Sequence, residues 1–126
     1  MTADIKNGKG DADSLFVTEV SKPQPKDTEA LIKVKAFGLN RMDLLQREGN
    51  YPVPPQAPKI LGVEFSGTIE SFGKTPESGF KIGDEVFGLA YGGISTRFQR
   101  AKESLLNPDY RSVRGVYRGV NAHAYP

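Results

Sequence analysis

A mainly β domain with one short helix is what this sequence predicts, and three observations predict it. Gly 14 and Pro 9 are high counts for 126 residues and imply many turns. Ala30–Phe37 alternates apolar and charged side chains, the period of a strand with one buried face. Asn40–Gly49 alone carries both a helix start and a helix stop. The length is enough for one domain with a real core, and not for two.

Taken in order, Leu15–Val20 (LFVTEV) alternates and is expected as a half-buried strand. Ser21–Asp27, with Pro23 and Pro25, is a loop, because proline cannot donate to a ladder. In Ala30–Phe37, Ile32, Val34 and Ala36 should face the core and Lys33 and Lys35 water. Gly38 ends this strand. Asn40 stands where a helix N-cap belongs, with a side-chain oxygen able to accept from the first turn. Met42, Leu44 and Leu45 offer the helix an apolar face. Asp43 lies in the first turn, where the helix dipole favours a negative charge. Gly49 is a natural stop. Tyr51–Pro58 (YPVPPQAP) is a loop stiffened by four prolines. Ile60–Phe72 reads as one or two strands, with Gly62 and Gly67 at bends or close approaches. Phe80–Leu89 reads as a hairpin turning at Gly83-Asp84.

Composition narrows the function. A net charge of +2 is too small to argue for nucleic acid or a membrane surface as partner. With no cysteine, disulfides and thiolate zinc sites are excluded, and His123 is the one imidazole. No apolar run reaches the ~20 residues of a membrane span, and Met1–Gly10 has no apolar signal core, so a cytoplasmic protein is expected. Charge is uneven along the chain. Arg97–Pro126 holds six Lys+Arg against two acids, and the residues before it 11 against 13, giving +4 for the tail and −2 for the body. The arginines are scattered, which disfavours a nucleic-acid arm. The expected division is 1–93 as the domain and 94–126 as a basic tail.

Four segments come in a recognisable order: Gly38-Leu39-Asn40-Arg41-Met42-Asp43; Arg47-x-Gly-x-Tyr51-Pro52; Pro58-x-x-Leu61-Gly62-x-Glu64-x-x-Gly67; and Lys81-x-Gly83-Asp84-x-Val86. Together they resemble the N-terminal, GroES-like domain of the medium-chain dehydrogenase/reductase superfamily, in particular the zinc-free NADPH:quinone oxidoreductases of the zeta-crystallin and p53-inducible type. The resemblance covers about Ile5 to Gly93. It implies an incomplete GroES-like, partly open β-barrel. The implied activity is NADPH-dependent hydride transfer to a quinone or α,β-unsaturated carbonyl, in a family whose members are expected to be homo-oligomers.

The resemblance also carries specific departures. Zinc-dependent alcohol dehydrogenases have a Cys ligand in the first motif and a His ligand in the third, where this chain has Asn40 and Val63. An amide is a poor zinc ligand and an isopropyl group is none, so no metal site is expected. The residues implied near the reactants are Tyr51 and Asn40 for the substrate, and Asn40 and Arg41 for the cofactor. Each has a plainer alternative: Asn40 as helix cap, Arg41 as a solvated helix residue, Tyr51 as a surface aromatic. Asp43 is read as structural, and Glu64 as a hydrogen-bond acceptor beside the lost metal position. The family's cofactor domain brings a Gly-rich phosphate turn, and nothing here reads G-x-G-x-x-G. This chain alone is therefore expected to hold no cofactor and to be inactive. An inactive fragment and a non-enzymatic GroES-like module are the rival readings.

The tail has its own expectation. The resembled family continues beyond Gly92-Gly93 with a strand reading like A-Y-A-E-Y-I-A-V-S. Codons permitted for Ser112–Tyr125, read one nucleotide on, give such a strand. The tail is thus expected to be a retained intron followed by shifted-frame exon, and not an evolved part of the fold. A diverged basic tail of a genuine short protein is the alternative.

Overall fold

The computed structural model describes residues 2–5, 9–52, 58, 60–74, 76, 78–90 and 92–108. Their architecture is mainly β with one helix, as expected. β1 (Thr2–Ile5) and β2 (Leu15–Thr18) pair as an antiparallel ribbon, with a 3-10 turn at Ala12–Ser14 before β2. β3 (Glu29–Phe37), β4 (Glu64–Phe72), β5 (Glu85–Leu89), β6 (Phe98–Lys102) and β7 (Leu106–Asn107) form one sheet in the order β6-β3-β4-β5-β7. Its pairs are antiparallel. The helix, α1 (Arg41–Glu48), follows β3 directly.

β3 and β4 carry the core. Ala30, Ile32 and Val34 pack with Phe37, Phe65, Ile69 and Val86, and Ile94 joins them. Lys33 and Lys35 are exposed and Ile32 and Val34 buried, as read, but Ala36 is only half-buried and Phe37 takes the core place beyond the irregularity at Val34/Ala36. Gly67 lets the two strands approach, since a Cβ there would stand 2.3 Å from the Lys33 carbonyl oxygen. The ladder is irregular at Leu31/Ile32 and at Val34/Ala36. Leu31 is buried as well, though it does not belong to the core cluster that holds Ile32.

Three expectations need correction. Leu15–Val20 forms a strand only to Thr18, and it is not half-buried: Leu15, Phe16 and Val17 are all exposed, because β2 pairs with β1 and not with the large sheet. Phe80 and Lys81 form no hairpin arm. β5 pairs back onto β4, with Ile82 and Gly83 in the turn and Gly83 at φ 94°. The sheet also runs past Gly93. Ile94 is fully buried, β6 covers the outer edge of β3, and β7 adds to β5. Residues 94–107 therefore stand inside the fold, since without them the core would open at Ile94 and β3 would lose its outer neighbour. Residues 109–126, His123 included, lie outside the described residues.

Candidate functional site

The expected site residues sit at the two ends of α1. Phe37 is buried at the end of β3, and Gly38 donates its N–H to the Glu64 carbonyl at 3.3 Å, the last contact before the chain leaves the sheet. Asn40 is then extended (φ −119°, ψ 154°) and serves as the N-cap of α1, as its position in the sequence predicts. Asp43 reaches back and accepts the Asn40 N–H at 2.8 Å, while its own N–H goes to the Asn40 backbone carbonyl at 3.0 Å; the Asn40 side chain makes no cap hydrogen bond and is left for other partners.

Asp43 does more than cap. It is 6% exposed and is the helix residue that is buried, whereas Leu44 is half exposed and Met42 and Leu45 are only partly covered. Its second oxygen accepts the buried Gly62 N–H at 2.9 Å. One carboxylate thus ties the start of α1 to the bend before β4. Gly62 has φ 93°, and a Cβ there would press on Ile94 and Ser95 at 3.0 Å, so this bend also needs glycine. The apolar face expected for α1 is replaced by a polar anchor, because an eight-residue helix at the rim of a sheet reaches little core.

Glu64, the first residue of β4, completes the cluster. Its Oε1 accepts from the Asn40 Nδ2 at 2.7 Å. The carboxylate lies where a side chain on Gly38 would be: a Cβ there would stand 2.2 Å from Oε1. Asn40, Asp43, Glu64 and the backbone of Gly38 and Gly62 are therefore one hydrogen-bonded unit. Arg41 is exposed at the same end of α1. Tyr51 is 37% exposed and lies beyond Gly49, the left-handed C-cap at φ 78°. The structure brings Asn40 and Glu64 together and leaves Tyr51 past the opposite end of the helix, about 12 Å of helix away. The sequence gives no sign of the Asn40–Glu64 bond, since its partners are 24 residues apart. The glycine that makes room for it, Gly38, reads simply as a strand end.

A cleft of about 480 Å³ lies elsewhere, along β6, all of whose residues line it opposite Val20, Pro23 and Ile60. Asn40, Arg41 and Tyr51 are not on its walls. Among the described residues no group of three His, Cys, Asp or Glu side chains is placed to hold a metal, and no helix is long and apolar enough to cross a membrane.

A family model described as the alcohol dehydrogenase GroES-like domain matches residues 26–124. This chain belongs to that family. The match takes in β6 and β7, beyond the Gly93 boundary. The GroES-like domain is 41% identical over 89 residues to the mouse synaptic vesicle membrane protein VAT-1 homolog-like, covering 71% of this chain and 21% of that one. It is 40% identical over 73 residues to pig quinone oxidoreductase, covering 58% and 22%. The crystal structure of human VAT-1 homolog-like protein superposes with a TM-score of 0.77 at 32% identity, over 86% of this chain and 35% of that one. A mycobacterial protein solved complexed with NADPH superposes at 0.72 and 30% identity, over 87% and 34%. The GroES-like domain thus spans about a fifth of the length of the curated relatives it matches. Its kinship is with oxidoreductases of the quinone oxidoreductase type.

Proposed function

We propose that this domain forms the substrate side of a zinc-free, NADPH-dependent quinone oxidoreductase, with Asn40 and Tyr51 toward a quinone or enone and Asn40 and Arg41 toward the nicotinamide. The observation that carries the reading is the Asn40–Glu64 bond. At the two motif positions where zinc-dependent dehydrogenases carry Cys and His, this chain has an amide already engaged by a carboxylate and Val63, which has no donor atom. A pre-aligned amide is the kind of group that orients a carbonyl substrate for hydride transfer.

The residues present do not fit the whole cofactor. The Gly-rich phosphate turn that would hold a diphosphate has no counterpart in this sequence, and the buried Asp43 carboxylate, which takes the Asn40 N–H, puts a negative charge at the start of α1 where a second anion would be repelled. No step is therefore derived through NADPH on this chain. Its own residues supply a polar pair at the rim of the sheet and an aromatic ring beyond the helix. Cytoplasmic location and assembly into homo-oligomers belong to the same reading.

Titration of the ¹⁵N-labelled chain with menadione tests it. Shifts confined to Asn40, Arg41 and Tyr51, lost in Asn40→Ala, are expected. NADPH oxidation by the chain alone should equal background, because hydride transfer needs both reactants held together. Menadione shifts that avoid α1, or turnover above background that survives Tyr51→Phe and Asn40→Ala, would refute the assignment.

A further inference from the structure

An asparagine amide has two ends of opposite character, and a flip exchanges donor for acceptor. Which end Asn40 offers a ligand depends on what holds the other. Here the Nδ2 meets Glu64 Oε1 at 2.7 Å. Turning the amide over would set its carbonyl oxygen against a carboxylate, two acceptors facing each other, so the flipped form is disfavoured by electrostatics as well as by the lost hydrogen bond. The carboxylate can sit there only because residue 38 is glycine: a Cβ would fall 2.2 Å from Oε1 and 2.8 Å from the carboxyl carbon. Glu64 is in turn held by its place at the head of β4, where its carbonyl accepts from Gly38 and its Cα pairs with Leu89.

We propose that Glu64 is a positioning residue, which fixes the Asn40 carboxamide in one of its two flips so that the same N–H and carbonyl edges always face the ligand. Gly38 supplies the clearance. This rests on the reading of Asn40 as a ligand contact, and the test separates the two.

The experiment follows the Asn40 side-chain amide in the ¹⁵N-labelled chain, with and without menadione, in four variants: Glu64→Gln, Glu64→Leu, Asn40→Ala and the Asn40→Ala/Glu64→Leu double. Thermal melting screens each for folding. Without ligand, the Asn40 amide protons should exchange more slowly in the parent than in Glu64→Leu. Glu64→Gln should restore most of that protection, since its Oε1 can still accept. With menadione, Glu64→Leu should weaken binding about tenfold and Glu64→Gln much less, the size expected for one hydrogen bond to a charged group. Glu64→Leu should add nothing once Asn40 is alanine. Equal protection in the parent and in Glu64→Leu would overturn the positioning role. So would a penalty for Glu64→Leu that persists undiminished in the Asn40→Ala background, which would mark Glu64 as structural. Normal protection with no menadione binding by the parent chain would sink the ligand reading, and with it the functional role of Glu64, while leaving the amide bond itself in place. Should Glu64→Leu fail to fold, Gly38→Ala gives the same test by displacing the carboxylate: loss of Asn40 protection supports the proposal and full protection overturns it.

Discussion

The large sheet and the β1–β2 ribbon are both built on strands rich in apolar residues and come to different ends. β2 (LFVT) sets three apolar side chains in a row, and β3 alternates Ile32 and Val34 with Lys33 and Lys35. β3 lies between β4 and β6 and buries Ile32 and Val34, whereas β2 has β1 alone and leaves Leu15, Phe16 and Val17 in the open. Period-2 alternation reports a pleated strand and its two faces. Whether a face is covered depends on partners that are distant in sequence.

Substitutions sharpen this contrast. Phe65→Ala should be the most damaging, at about 3–5 kcal/mol, because Phe65 is wholly buried between β3 and β5. Chemical denaturation would show it as a lower midpoint with an unchanged slope. Ile94→Ala should cost about 2–5 kcal/mol by the same mechanism. That value bears on the region after Gly93: a cost below about 0.5 kcal/mol would mean the segment does not pack as described. Asp43→Ala should cost about 1–3 kcal/mol, since it strands the buried Gly62 N–H and uncaps α1. Amide exchange should rise at Gly62 and Asn40 before it rises in β4. Val17→Ala, 64% exposed on the ribbon, should change the melting midpoint least, within about 0.5 kcal/mol. A loss comparable to that of Ile94→Ala would show that the ribbon is covered after all.

How much of this was legible in the sequence follows the same division. β3, the α1 cap at Asn40, the stop at Gly49 and the bend at Gly62 could be read because each depends on neighbours within a few residues. The four ordered motifs gave the fold family. β6 was missed because Phe98–Lys102 (FQRAK) is short and basic, and only the edge of β3 makes it a strand. Asp43 could be read as a first-turn acid, yet its bond to Gly62 spans 19 residues, and nothing in the local pattern marks it. The pairing of Asn40 with Glu64 was hidden for the same reason. Each residue was picked out separately, and only the β3–β4 register sets them side by side.

That register has a consequence for changes of chain length. The β3–β4 ladder slips once where it passes over Glu70 and slips back where it passes over Lys35. The two irregularities cancel, so Phe37 meets Phe65 with the same offset that Ala30 has with Phe72. Both skipped residues send their side chains outward into ion pairs, Lys35 with Glu85 and Glu70 with Lys22. Each of the two is the unpaired residue of a bulge, so removing either alone would bring rungs that already pair next to each other, Val34–Gly67 with Ala36–Ser66 or Leu31–Ser71 with Ile32–Ile69, and leave Asn40 in phase with Glu64. Deletions should therefore be tolerated at Lys35 and at Glu70 far better than at a paired residue such as Lys33, whose loss would put every rung beyond it out of step.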